Sequence, residues 1–199
     1  MTTPKKGMKT DLIISDNIAG VNQILPHTNK WAWDLFIKGC ANNWMPGDIP
    51  MAKDIEQWKS RNQLTEDERL VIKRCLGFFA GSESLVANNL LLSIFKYVTD
   101  PECRQYTLRQ AFEESLHNMT IVYICDSLNL EVSEVYEAYN TIPSIKAKDD
   151  FLMQITTDIS RNDFTASTVE GKRELLRNMI SFYIICEGIF FFSGFAMLL

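Results

Sequence analysis

The sequence predicts an all-α chain built around three unusually long helices. Apolar residues recur at helical spacing from about residue 30 to the end, and no run alternates convincingly as a strand would. Helix-start signals stand where those patterns begin: Thr65 with Glu68 three residues on, Asp100 directly before Pro101, and Ser167 or Thr168 before VEGKRELL. The segments these signals open run for 28 residues or more, well above the usual helix length and suited to a bundle.

In chain order, residues 1–29 read as an irregular N-terminal segment, polar and holding Pro26. KWAWDLFIKGC has apolar residues at helical spacing, and NNWMPGDIP breaks the pattern with Pro46, Gly47 and Pro50. MAKDIEQWKS is a short helix. The Thr65 capping box opens a pattern lasting through FKYV, and the Asp100 cap opens one running to about Leu128. SEVYEAYNTI, starting at Ser133, and IKAKDDFLMQITTDI are shorter helices, and the last long one runs from Val169 through FFFSGFAMLL. Residues 30–199 form one helical domain on this reading, with no repeat, linker or low-complexity tract.

Composition removes several classes of function. A chain of 199 residues supports one sizeable core, and its formal charge of −5 argues against a nucleic-acid footprint, which is basic. The five cysteines (Cys40, Cys75, Cys103, Cys125, Cys186) show no paired or zinc-type spacing, and four lie in apolar helical patterns. They read as reduced thiols of a cytoplasmic protein. The start, MTTPKKGMKTDL, lacks the apolar stretch of a signal peptide. Residues 182–199 are about long enough to span a bilayer, but Glu187 lies inside them, and a carboxylate at that depth costs about 2.5–3.5 kcal/mol. A helix buried in a helical core is the better reading, with no membrane partner.

The chemistry lies in acids placed where apolar residues belong. Glu83 sits in GFFAGSESLVANNLLL, Glu114 in QAFEESLHNM and Glu187 in SFYIICEGIFFF, one in each long helix. Burying an ionised carboxylate is costly unless it is paired or bound to a metal. Glu114 and His117 share a helix face one turn apart, the spacing by which a carboxylate and an imidazole grip one ion. Ferritin-like dimetal bundles take a Glu from each of two helices and a Glu-x-x-His from each of two others. Glu113 is i, i+4 from His117 and rivals Glu114, but the i, i+3 pattern favours Glu114.

Longer stretches carry a more specific likeness: KWAWDLF, CANNWMPGDIPM, ERLVIKRCLGFF, SESLVANN, RQYTLRQAFEESLH, IKAKDDF and EGIFFFSGF. From about Trp31 to Leu199 the chain resembles the N-terminal part of the small, radical-generating subunit of class I ribonucleotide reductase. The resemblance implies a ferritin-like dimetal-carboxylate bundle in which Glu83, Glu114, His117 and Glu187 are metal ligands, with Glu114 bridging the ions. It implies that Trp44 carries an electron between surface and metals, and that Phe191 and Phe195 form the apolar wall, a place plain core packing explains equally well. It also implies the activity, oxidation of a cysteine on a catalytic large subunit that starts conversion of ribonucleotides to deoxyribonucleotides for DNA replication.

Two departures from the family pattern shape the expectations. Ile121 stands where the family has its radical tyrosine, four residues after the histidine, and isoleucine cannot be oxidised to a radical. Tyr123 is turned about 200° away on the helix. The family's manganese–iron subgroup also lacks that tyrosine and has Glu where most members have Asp, as Glu83 does here. A manganese–iron centre is therefore expected, ahead of dimanganese or di-iron. Second, a second Glu-x-x-His is absent, since His27 and His117 are the only histidines. Four ligands of an expected six are present. The bundle is then incomplete, lacking C-terminal helices, and a complementary C-terminal chain is expected to supply them, along with a second copy of this chain and the large subunit. An inactive truncation, a metal-binding or scaffold protein, and another ferritin-like dimetal oxidase are the competing readings.

Overall fold

The computed structural model describes residues 12–14 and 21–199, and the described residues are helical without a single strand. The rest of the irregular N-terminal segment expected over 1–29 lies outside the described residues. Helix α1 spans Lys30–Ala41 and α2 spans Ala52–Lys59. Between them, where the sequence predicts a break, the Pro46–Asp48 stretch makes one tight helical turn. Helix α3 runs Glu66–Tyr97, α4 Pro101–Leu128, α5 Val132–Tyr136, α6 Ala138–Thr141, α7 Pro143–Ser160 and α8 Val169–Leu198.

The caps explain the boundaries. Glu68 N donates to Thr65 Oγ1 at 3.2 Å while Thr65 N donates to the Glu68 carboxylate at 2.7 Å, the reciprocal pair that starts α3. Cys103 N donates to Asp100 Oδ1 at 2.8 Å, and Pro101 needs no partner for its absent N–H. Of Ser167 and Thr168, the threonine caps α8, accepting from Gly171 N at 3.0 Å. Each such cap contributes about 1 kcal/mol. Asn129 ends α4 in the left-handed region at φ 51°, a conformation asparagine tolerates.

Helix α3 is the axis, packing against α4, α5, α6, α7 and the end of α8, while α1 lies along α4. The core gathers Phe78, Phe79, Val86 and Leu90 of α3 with Ile121, Leu152, Phe182 and Phe191. A smaller cluster joins Tyr97, Ile159, Phe164 and Leu175, with Ile14 packed against it. The described N-terminal residues are tied down here too: Thr99 N donates to the Ile13 carbonyl at 2.9 Å and Thr28 N to Glu102 Oε1 at 2.9 Å.

Two details depart from the sequence expectation. The helix expected from Ser133 divides at Glu137 into α5 and α6. This pair rests on Gly77 of α3, where an added Cβ would stand 2.5 Å from Ala138 Cβ and 3.0 Å from the Val135 carbonyl oxygen. Secondly, the two longest apolar helices are not α-helical throughout. The backbone widens to π geometry at Asn89–Ile94 in α3 and at Ser181–Phe191 in α8. Such insertions are frequent at functional sites. Both helices are long and apolar enough to cross a membrane, a property they share with core helices, and α3 is mostly buried.

Candidate metal centre

Helices α3 and α4 face each other where Glu83 and Glu114 turn inward, 5% and 4% exposed. Glu83 lies a turn after Phe78 and Phe79, so the packing that buries those rings carries the acid into the core. Glu114 follows Ala111 by three residues on the buried side of α4. His117 Nδ1 stands 3.0 Å from Glu114 Oε2 and 3.2 Å from Glu83 Oε2. One ligand atom from each of the three lies within 4.8 Å of the others, close enough to share an ion. Asn118, one residue on, clips the two helices together: its Nδ2 donates to the Glu114 carbonyl at 2.9 Å, and its Oδ1 accepts from Ser84 Oγ at 3.1 Å.

Glu187 stands beside this group without joining it at that distance. It lies in the π-helical stretch of α8, and its Oε1 is buried with no hydrogen-bond partner. Burial, then the charges of Glu114 and Glu83, push its carboxyl up to about 8. Burial also raises Glu83 to about 7, with His117 opposing and Glu114 adding to the shift. Burial pulls the His117 imidazolium down, but bonds to Glu114 and Glu83 and their charges outweigh it and hold it at about 10. Without a cation, Glu83 and Glu187 thus keep protons near neutral pH beside a charged His117. Divalent cations would displace those protons and satisfy the orphaned Glu187 oxygen, and oxygen-rich donors with one nitrogen suit such ions.

Glu113, the rival to Glu114, points elsewhere and pairs with Arg109 one turn back. Trp44 is half-buried, its ring stacked on His117 with centroids 6.3 Å apart, a contact no spacing in the sequence announces. Ile121 is buried in the core. Tyr123 donates its hydroxyl to the Ile49 carbonyl at 2.8 Å, at the edge of the α1–α2 connection. Phe191 is buried edge-on against Phe78 and Phe79, both at 5.6 Å, while Phe195 stacks on Phe79 at 5.0 Å and stays 50% exposed. Sequence reasoning also missed Tyr183, whose hydroxyl donates to Gln110 Oε1 at 3.1 Å. These two residues each lie one turn before an acid, Glu187 and Glu114, which is the signal that could have paired them.

The described helices lie within residues 21–199, which match the family described as ribonucleotide reductase, small chain. The chain is 52% identical over 195 residues to the ribonucleoside-diphosphate reductase subunit beta of Chlamydia pneumoniae, covering 98% of this chain and 55% of that one. It is 29% identical over 167 residues to small chain 1 of the Saccharomyces cerevisiae enzyme, covering 82% of this chain and 38% of that one. The solved ribonucleotide reductase R2 subunit from Clostridium botulinum superposes with a TM-score of 0.81 at 24% identity, over 98% of this chain and 59% of that one, a likeness of fold. The chain thus spans about half the length of the curated relatives it matches. An all-α bundle with two buried glutamates and a histidine converging between its long helices, matched over nearly its whole length, belongs to the small-chain family of ribonucleotide reductases.

Proposed function

We propose that this chain holds four ligands of the dimetal centre in the radical-generating small subunit of a class I ribonucleotide reductase: Glu83, Glu114, His117 and Glu187. The convergence of Glu83, Glu114 and His117 carries this reading. Glu114, between Glu83 and His117, would be the ligand both ions share, and Glu187 would close one side with its unpaired oxygen. Residues 30–199 are one ferritin-like unit. The two further ligands lie outside these 199 residues, on a complementary helical segment that also covers the exposed Ile184, Ile189 and Phe192 of α8. The assembly is cytoplasmic, includes the catalytic large subunit, and contains a second copy of this chain.

Bound in this site, the metal pair supplies the one-electron oxidant. The chain's own residues do the rest. Ile121 offers nothing oxidisable where the family's tyrosine stands, which supports storage of the oxidising equivalent on a manganese–iron pair. Glu83, the longer acid at a position usually Asp, supports the same choice over dimanganese or di-iron. Trp44 lies beside His117, ring centroids 6.3 Å apart, and would give an electron a short route from the surface to a ligand. Glu114 and Glu83 hold the His117 ring in place while it does so.

Co-expression with the complementary segment, followed by metal analysis and electron paramagnetic resonance after loading with Mn(II), Fe(II) and oxygen, tests the proposal. A bound metal pair and no tyrosyl-type doublet are expected; a doublet would return the oxidant to an organic side chain. In the same assembly Trp44→Phe is expected to keep metal content and fold while abolishing reductase turnover. Normal turnover in that variant assigns Trp44 to packing alone.

A further inference from the structure

We propose that a second buried acid, Asp149, anchors a binding cavity for an organic ammonium group on the face of α3 that meets α7. The cavity, about 280 Å³, lies among Gly81 and Leu85 of α3, Tyr136, Tyr139 and Met153, with Asp149 as its acid. Asp149 is 2% exposed, and neither carboxylate oxygen has a hydrogen-bond partner. An ionised carboxylate in such a place requires a cation or a donor. The groups nearest to it are committed elsewhere. Lys146 Nζ pairs with Asp150 at 2.9 Å, one turn along the exposed side. Lys148 Nζ lies 4.6 Å above the Phe78 ring and 5.4 Å above Phe190. Ser84 donates its hydroxyl to Asn118.

The backbone makes room for this carboxylate. A Cβ on Gly81 would stand 2.8 Å from Asp149 Oδ2, so glycine at that position leaves the oxygen its place. Burial, with Asp150 adding and Lys148 and Lys146 opposing, raises the carboxyl to about 6, which leaves it largely ionised at neutral pH. The walls set the class of ligand. Two tyrosines, a leucine and a methionine suit an apolar body, aromatic walls favour a cationic head, and the single carboxylate receives it as a charge-assisted hydrogen bond. Primary amines meet all three conditions, whether free or as the end of a lysine side chain from another copy of the chain.

The full 199-residue chain, titrated with n-butylammonium in phosphate buffer at pH 7.5 and followed by calorimetry, tests this site. Saturable binding of the amine and none of n-butanol is expected. Asp149→Asn, which keeps the shape and removes the charge, is expected to weaken binding by at least about tenfold. Equal binding of amine and alcohol, or an unchanged affinity in Asp149→Asn, overturns the proposal, and the amine–alcohol contrast in the unaltered chain stands whether or not a variant folds. Sedimentation velocity separates the sources. Loss of self-association in Asp149→Asn identifies a lysine side chain, unchanged association identifies a free amine, and both uphold the site.

Discussion

Glu114→Ala abolishes metal binding, by the chain and by any assembly built on it. Glu114 is the acid the others depend on. It stands 3.0 Å from His117, adds to the burial that raises Glu83 and Glu187, and is itself only 4% exposed. Loss of groups that merely orient metal ligands lowers affinity about 10–100-fold. Removal of a proposed ligand itself should exceed that range. The checks are metal content after dialysis and the fraction of free Mn(II) seen by electron paramagnetic resonance, with circular dichroism to confirm the helices. Glu113→Ala is the control and should retain metal, because Glu113 is tied to Arg109. Metal retained by Glu114→Ala, or lost from Glu113→Ala, would refute the assignment.

The metal-free chain loses stability steadily as pH rises from about 5 to above 8. Glu83 and Glu187 carry folded-state pKa values of about 7 and about 8 against an ordinary 4.5. Below 4.5 both are protonated in either state and impose no penalty. Between 4.5 and 8 the unfolded chain releases protons that the folded chain keeps, so unfolding gains ground as pH rises. His117 acts in the same direction. Its folded value of about 10 exceeds the ordinary 6.5, so its contribution is complete below 6.5 and disappears as pH rises through 10. Glu187→Leu should therefore stabilise the metal-free chain at pH 8 by about 1–3 kcal/mol, after discounting for its partial exposure, and change little at pH 5. Urea unfolding at the two pH values measures this. An equal effect at both pH values, or destabilisation at pH 8, contradicts the electrostatic account. Excess Mn(II) should restore the unaltered chain, since an ion that binds only the folded state stabilises it by mass action.

Much of this was legible because the signals were local. Thr65 with Glu68, Asp100 with Pro101, and Thr168 mark helix starts through bonds three residues long, and the structure makes each of them. Glu114 and His117 are neighbours by helical geometry alone. Glu83 was legible as an acid among phenylalanines. What escaped depends on contacts between elements. Nothing local says that Gly77 lets α5 and α6 approach until the chain divides at Glu137. Nothing local says that α8 widens around Glu187, leaving that acid beside the other three residues instead of among them. Trp44 reaches His117 from the connection after α1, and nothing local in KAKDDF distinguishes the buried Asp149 from Asp150 beside it.

The connection between α1 and α2 is stapled at both ends to α4. Arg109 Nη1 donates to Asn43 Oδ1 at 3.0 Å while its other arm holds Glu113, and Tyr123 donates to Ile49 at 2.8 Å. Trp44 lies between the staples. Electron tunnelling falls off exponentially with gap width, so an indole that wandered by the usual amplitude of a surface loop would make an erratic conductor. Surface connections ordinarily accept insertions and drift freely. In the electron-transfer role proposed for Trp44, this connection would act as a fixed-length electrical lead: its residue count between Asn43 and Ile49 is matched to the spacing of Arg109 and Tyr123 on one helix, and lengthening it would detune the circuit while leaving the proposed metal ligands untouched.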